Sequence, residues 1–380
     1  MTKAITTAFT RLLPKCTHLQ VPIVGAPMAG AGGAKLAAEV TLGGAFGFIP
    51  AGYRDAHVLR TELDTARTLL NTPPNATLPL GVAYFGWKLK EQGEATTTEM
   101  LDVSLQHNVQ AIWFSFWSKD QSKWARYIRE KDAASTEERS TVIFVLVSSV
   151  EQALMAVNEW KADVIVAQGS QAGGHGSAHG PPLQELFASI VDAIPENRPP
   201  ILVAGGLSNG SQVAEYLAKG ADGAVLGTRF LLTPESTYTP GQKNALVAAK
   251  SNSTVRSVKF DEARNTKGWP EGTDGRGLVN ALTNGFQGNA REINMDILRE
   301  KVKEATAKDD PEWMVTWAGL GVGDMNEIKG AQPVERATET VSDILKYLEV
   351  GSLWLENVKE DVSDLSKTTV TLPRIKMRHN

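Results

Sequence analysis

Residues 163–176 read DVIVAQGSQAGGHG, and this stretch decides the fold prediction. The apolar, β-branched run from Asp163 to Ala167 predicts a buried strand that opens into a glycine-rich loop. His175 lies at the end of that loop, and its ordinary pKa of about 6.5 lets an imidazole exchange a proton near neutral pH. Gly173 and Gly174 before it let the backbone approach a flat or anionic group closely. The stretch therefore indicates the wall of a cofactor pocket with a base at its rim.

Seven other runs along the chain have the same character as the strand at residue 163. They are continuously apolar rather than alternating, which is typical of strands buried on both faces of a parallel sheet. The eight predicted strands are 21–28, 45–52, 78–85, 111–116, 141–147, 163–170, 200–207 and 223–230. Helix-like segments fall between most of them, at 34–42, 55–70, 97–106, 119–130, 149–160, 182–193 and 208–219.

This alternation of strand and helix predicts an α/β fold, a right-handed (β/α)8 TIM barrel. A doubly wound open sheet is the alternative. The strand count and the mismatch of the first glycine motif with a dinucleotide fingerprint disfavour it.

The composition excludes several classes of protein. The chain has 380 residues, of which 42% are hydrophobic, enough for a sizeable core. The net charge of −4 argues against a nucleic-acid partner or an acidic membrane surface. Cys16 is the single cysteine, so an internal disulfide is excluded and a buried or linker thiol is favoured over a nucleophile. Neither a membrane-spanning run nor a signal-peptide core is seen, and we expect a cytoplasmic protein.

The amino-acid composition of the chain changes after Phe230. Residues 232–311 are rich in Ser, Thr, Asn and Gly, and they are too many for an unstructured loop in a compact domain. We predict an inserted, mostly helical cap domain here, with helices at 241–251 and 293–307 and loops over 255–288. Residues 1–231 and 312–380 would form the barrel domain, whose eighth helix is predicted at 333–348.

Glycine-rich motifs follow the predicted strands, where TIM barrels hold their active sites. The first strand ends in GAPMAG (25–30), the seventh in AGGLS (204–208) and the eighth in LGTRF (226–230). Ser208 is the predicted N-cap of the next helix. The loops after strands seven and eight are where such barrels bind phosphate through backbone N–H groups. These two loops therefore predict a phosphate site.

The other histidines are weaker candidates than His175. His18, His57, His107 and His379 lack glycine-rich neighbours, which favours solvated or capping roles, whereas His179 shares the loop of His175 and is a candidate substrate contact. The aromatic run 113–117 favours core packing, with Ser115 and Phe116 facing the site. No cluster of His, Cys, Asp and Glu has metal-ligand spacing, so no metal is expected, and the G-x-S-x-G motif is absent.

Taken together, these motifs resemble the nitronate monooxygenase family, formerly called 2-nitropropane dioxygenases. The similarity runs from Pro22 to about Leu348. The matching pieces are APMAG (26–30), GVAYFGWKL (81–89), QG through GGH (168–175), AGG (204–206), GTRF (227–230) and WAG (317–319). The GWKL piece at 86–89 resembles the fungal branch in particular.

The resemblance implies an FMN-binding barrel with a helical cap, which oxidises alkyl nitronates with O2 to a carbonyl compound and nitrite. His175 matches the catalytic base of the family, and Ser115 and His179 are candidate substrate contacts. The expected partners are the nitronate and O2, with no nucleic acid and no membrane, and a homodimer is allowed. The residues expected to contact FMN are Ala26, Pro27, Met28, Gln168, Gly173, Gly174, Ala204, Gly205, Gly206, Gly227, Thr228 and Trp317.

One departure and two alternatives stay open. Many family members have an acidic residue where this chain has Gln171, which could alter how the histidine loop is held. The nearest alternative is a flavin-dependent NAD(P)H reductase of quinones or enoyl thioesters, because relatives with a similar Ala-Gly-Gly-His loop catalyse such reductions. A non-catalytic flavin- or phosphate-binding protein is the alternative of a different class.

Overall fold

The eight predicted apolar runs form one parallel sheet in the computed structural model, which describes residues 7–135, 140–194, 197–250, 252–266, 268–287 and 295–327. The strands are β1 (Ile23–Gly25), β2 (Phe48–Pro50), β3 (Leu78–Phe85), β4 (Val109–Ser115), β5 (Val142–Val147), β6 (Val164–Gln168), β8 (Ile201–Ala204) and β9 (Gly223–Leu226). Their order in the sheet is β1-β9-β8-β6-β5-β4-β3-β2.

The two edges of this sheet meet beside Phe46. Its N–H donates to Ile23 O, and its carbonyl accepts from Gly25 N–H, both at 2.9 Å. Val24 and Phe46 thereby form a parallel bridge that links the β1 edge to the chain entering β2. The sheet is thus a nearly closed barrel, and the predicted TIM barrel is confirmed.

Helices cover the outside of the barrel close to where they were predicted. Those that follow the sheet strands are α2 (Ala34–Leu42), α3 (Ala56–Leu69), α5 (Glu94–Gln106), α6 (Lys123–Ala134), α7 (Val150–Asn158), α8 (Leu183–Ala193) and α9 (Gly210–Ala218). Shorter elements are α1 (Ala8–Arg11), α4 (Gly86–Glu91), α10 (Thr228–Leu231) and 3-10 helices at Lys119–Ser122 and Leu320–Glu327.

The predicted N-cap of α9 is wrong by one residue. The Asn209 side chain accepts from Gln212 N–H at 3.0 Å and caps the helix. Ser208 instead donates from its backbone N–H to the Gln212 side chain at 2.7 Å. An Asn at this position is as good a cap as a Ser, and the helix begins one residue later than the sequence pattern indicates.

The lower end of the barrel, where the strands begin, is filled by aromatic side chains. Phe9, Phe46, Phe48 and Phe144 are buried there, and Phe9 reaches in from α1. Cys16 is also buried, as predicted, and burial raises the pKa of its thiol to about 12. The thiol is therefore protonated at neutral pH, which argues against a nucleophilic role.

The span 232–311 contains strands that the sequence did not indicate. It holds α11 (Pro240–Ala248), β10 (Thr254–Ser257), α12 (Lys259–Arg264), β11 (Thr273–Leu278), α13 (Ala281–Gln287) and α14 (Met295–Lys308). The helices α11 and α14 overlap those predicted, whereas the prediction of loops over 255–288 is wrong. The division of the chain into a barrel and an inserted cap domain stays a prediction.

The histidine segment is also a strand rather than a loop. β7 (Gly174–Ser177) pairs antiparallel with β11, and β11 pairs antiparallel with β10. These short strands carry glycines and charged residues, so their sequences lack an apolar period, and backbone pairing between distant segments makes them strands. His175 is thereby held in a three-stranded sheet of its own.

Two predictions lie outside the described residues: the eighth barrel helix at 333–348 and the role of His379. Across the described part of the chain, no helix has both the length and the apolar character needed to cross a membrane.

Candidate active site

A partly enclosed cavity lies at the carboxyl ends of the barrel strands, and it gathers nearly every residue that the sequence singled out. The predicted residues that line it are Ala26, Pro27, Met28, Ser115, Gln168, Gly173, Gly174, His175, Ala204, Gly205, Gly206, Gly227, Thr228 and Trp317. Phe116 lines it as well, and so does Trp113, which the sequence placed in the core. His179 is exposed and is not among the lining residues.

One wall of the cavity is built from glycines. Gly205 and Gly206 have φ of +113° and +77°, a region that L side chains rarely adopt. An added Cβ at Gly205 would lie 3.0 Å from both Ala172 N and Gly169 O. Gly174, at φ +67°, faces open space, because an added Cβ there would meet no atom within 4 Å. The wall is therefore flat and presents backbone rather than side chains.

Residues 317–320 form hydrogen bonds with the loops that make up this wall. Trp317 N–H donates to the Tyr238 hydroxyl at 2.8 Å, and Gly319 N–H donates to Thr228 Oγ1 at 3.0 Å. Leu320 N–H donates to the Gln171 carbonyl at 3.0 Å. The segment thus joins the loop after β6 to the loop after β9.

Gln171, the departure from the family pattern, has a structural partner. Its Oε1 accepts from Leu183 N–H at 2.8 Å, in the first turn of α8. The preceding residue, Pro182, makes no side-chain cap. Gln171 therefore ties the histidine segment to a helix N-terminus, where a carboxylate would also be favourable.

His175 makes a contact that the sequence analysis missed. Its Nε2 lies 3.0 and 2.9 Å from Oδ1 and Oδ2 of Asp261, in α12. Thr266 Oγ1 donates to Asp261 Oδ1 at 2.7 Å, and Gln168 Nε2 donates to the His175 carbonyl at 3.0 Å. Asp261 lies 86 residues from His175, inside an ordinary charged helix, so no local motif marks it.

Aromatic rings enclose the other sides of His175. The Trp269 ring stacks on the imidazole, with centroids 3.5 Å apart and planes 11° from parallel. Trp317 lies 5.0 Å away at 59°. Phe85 and Phe116 pack against Trp269 at 5.2 and 5.0 Å. The ring is therefore confined by Trp269 on one face and by Asp261 at Nε2.

The electrostatic surroundings keep His175 neutral. Burial lowers the pKa of its imidazole below the ordinary 6.5, and Asp261 opposes that shift. The nearby cations Arg264 and Arg256 lower the pKa further. A neutral imidazole at pH 7 can accept a proton.

The position of this cavity, at the end of the barrel where such folds carry out chemistry, places the chain among the TIM-barrel enzymes. A sequence model of the nitronate monooxygenase family matches residues 11–334. The chain therefore belongs to the nitronate monooxygenase family.

Individual relatives agree with this assignment. A nitronate monooxygenase of Neurospora crassa is 31% identical over 336 residues, which cover 83% of this chain and 87% of that protein. One of Metarhizium robertsii is 28% identical over 335 residues, covering 83% and 89%.

Solved structures share the fold. A nitroalkane oxidase from Streptomyces ansochromogenes matches with a TM-score of 0.68 and 26% identity, over 92% of this chain and all of that one. FabK from Thermotoga maritima matches with a TM-score of 0.72 over 93% of this chain and all of that one. Its identity is 23%, so this likeness concerns the fold alone.

Proposed function

We propose that this chain binds FMN and oxidises alkyl nitronates with O2 to a carbonyl compound and nitrite, with His175 as the catalytic base for neutral nitroalkanes. One observation carries the proposal. The buried, neutral imidazole of His175 lines the same cavity as the glycine loops that follow β8 and β9.

The cavity residues fit a flavin mononucleotide. Gly174 faces open space, which leaves room for a planar ring, whereas the missing side chain of Gly173 lets the backbone of Ala318 and Gly319 pack against it. Thr228 begins α10, so its N–H lies in the first helical turn, where no helical acceptor exists. The indole N–H of Trp269, a residue that lines the cavity, is buried without a hydrogen-bond partner in the described structure.

The phosphate of FMN would bind at the loops of Gly205–Gly206 and Gly227–Thr228. The Thr228 hydroxyl accepts from Gly319 N–H, which leaves its own hydrogen free to donate to a phosphate oxygen. A bound flavin would supply the electron transfer between nitronate and O2. The chain's own residues would hold the substrate anion and move its proton.

His175 would act differently on the two forms of substrate. A nitronate is already an anion and needs only to be held. A neutral nitroalkane must first lose its α-proton, which a neutral imidazole within hydrogen-bond reach can remove.

The proposal is tested by identifying the bound chromophore and its reductant. The purified protein is denatured, and the released chromophore is identified by mass, with FMN expected. The holoprotein is then mixed anaerobically with ethyl nitronate and, separately, with NADH, while the flavin absorbance is followed. We expect bleaching by the nitronate and little change with NADH.

Two results would contradict the proposal. Release of FAD, or protein that takes up no flavin, would exclude the FMN site. If NADH rapidly bleached the flavin absorbance and ethyl nitronate did not, the reductase alternative would be favoured.

A further inference from the structure

The two ring nitrogens of His175 have different surroundings. Nε2 lies against both carboxylate oxygens of Asp261, at 2.9 and 3.0 Å. Nδ1 has no hydrogen-bond partner among the residues that the structure describes. A carboxylate can only accept a hydrogen bond, so a neutral imidazole in this position carries its hydrogen on Nε2.

We propose that Asp261 is a positioning residue, which holds His175 in the tautomer with hydrogen on Nε2 and so makes Nδ1 the atom that removes the substrate's α-proton. The second half of this statement rests on the proposed function. The first half concerns the chain alone.

The contacts around the pair hold it in one orientation. The side chains of His175 and Asp261 are 12% and 13% exposed, so water competes little for their hydrogen bond. Thr266 Oγ1 fixes one carboxylate oxygen at 2.7 Å. The parallel Trp269 ring, 3.5 Å away, leaves little room for the imidazole to turn over. A ring locked in this way keeps Nε2 bound to Asp261 and leaves Nδ1 as the unpaired nitrogen in every turnover.

The charges around the imidazole make Asp261 the group that stabilises its protonated form. Arg264 at the end of α12 and Arg256 on β10 both disfavour the imidazolium. Arg256 is itself paired with Asp274 of β11 through a 2.6 Å hydrogen bond. Tyr53, after β2, lies near both Asp261 and Arg264, and its hydroxyl is uncharged at neutral pH as tyrosines ordinarily are. Within this set, Asp261 is the carboxylate that favours the imidazolium.

The proton transfer balances without any further reactant. The Cα–H bond of the nitroalkane breaks, and the Nδ1–H bond forms. The electron pair of the C–H bond moves into the nitro group and yields the nitronate. Asp261 keeps its hydrogen bond to Nε2 throughout and stabilises the new imidazolium.

The first experiment compares two charge-neutralising variants of the same helix. Asp261→Asn should lower kcat for nitroethane by about 10²-fold or more, with a much smaller change in KM and in the turnover of preformed ethyl nitronate. The acid limb of the pH profile of Asp261→Asn should also move to lower pH, because this variant lacks the carboxylate that raises the His175 pKa. Glu262→Gln, which removes a carboxylate paired with Lys259 instead, should behave like the wild type.

Conservative replacement separates positioning from folding. Asp261→Glu keeps the carboxylate and should recover part of the lost kcat. Equal kcat and equal pH profiles for Asp261→Asn and the wild type would overturn the proposal.

The second experiment reads the tautomer directly and does not depend on turnover. The wild-type protein is labelled with ¹⁵N-histidine, and the His175 signals are assigned by their loss in His175→Asn. We expect Nε2 to be protonated and Nδ1 to be unprotonated at pH 7.5, and Asp261→Asn to disturb this pattern. A hydrogen on Nδ1 in the wild type would overturn the proposal. An Nε2–H tautomer in a protein inert toward nitroalkanes and nitronates would instead contradict the proposed function and leave the tautomer assignment standing.

Discussion

His175 combines burial with a hydrogen-bonded carboxylate partner, Asp261, and the balance between their effects on the imidazole pKa sets the pH range of its activity. Burial is the larger influence and lowers the pKa of the imidazole below 6.5. A base works only in its neutral form, so a lowered pKa extends its activity to more acidic solution. For wild-type protein and nitroethane, we therefore expect kcat/KM to be flat near pH 7 and to fall only below pH 6.5. The pH profile of kcat/KM measures this, and an acid limb centred above 6.5 would contradict it.

Replacement of this one side chain should separate the two kinds of substrate. His175→Asn removes the proton acceptor while keeping part of the ring's volume and hydrogen bonding. Turnover of nitroethane should fall by about 10²–10⁴-fold, and that of ethyl nitronate should fall less, because its proton is already gone. Flavin content and folding should stay near wild type. His179→Asn is the matched control, and its effect on both substrates should be milder because that side chain is exposed.

At the scale of elements, the sheet of β7, β11 and β10 determines where the imidazole lies. Gly275 of β11 is the register partner of His175. It has no side chain, and the Trp317 ring packs against it, since an added Cβ would lie 2.5 Å from Trp317 Cζ3. Because Gly275 has no side chain, the Trp317 indole can lie beside the His175 imidazole. The pairing of β11 with β7 therefore also shapes the cavity.

Gly275→Ala should therefore disturb the site through Trp317. Overpacking of this kind costs about 1–3 kcal/mol. We expect a lower free energy of unfolding, a changed tryptophan fluorescence spectrum and weaker flavin binding. Gly32→Ala is the control, because its Cβ would be in ordinary contact, 3.5 Å from Leu36 Cδ2. Identical spectra and flavin affinity for Gly275→Ala and wild type would mean that Trp317 does not rest on β11.

The two sheets also differ in how far the sequence predicts them. The barrel strands are continuously apolar because both of their faces are buried, so a single sequence indicates them. β11 reads TDGRGL and becomes a strand by pairing with β7, about one hundred residues earlier. The glycine loops and His175 were predictable because strand ends carry them. Asp261 and Trp269 were not, since only the folded chain brings them to the imidazole.

At the scale of the whole molecule, the aromatic packing that stabilises the barrel lies at one end of its axis, and the candidate active site lies at the other. Phe9 of α1 plugs the lower end and is fully buried. Its ring meets Phe144 edge-on at 5.9 Å, and Phe144 in turn stacks on Trp113 at 5.7 Å. Trp113 lines the cavity. Phe144 therefore separates Phe9 from the cavity lining, so we expect a change at Phe9 to alter packing without reaching His175.

Phe9→Ala tests this separation. Loss of a buried phenylalanine leaves a cavity and costs about 3–5 kcal/mol. We expect a clear fall in the urea midpoint and in the melting temperature, while KM, kcat and the His175 tautomer of the folded protein stay near wild type. Arg11→Ala, at an exposed position of the same helix, should leave the midpoint almost unchanged. A wild-type midpoint for Phe9→Ala would show that α1 does not close the barrel. A large loss of kcat at an unchanged midpoint would show that the lower end is coupled to the site.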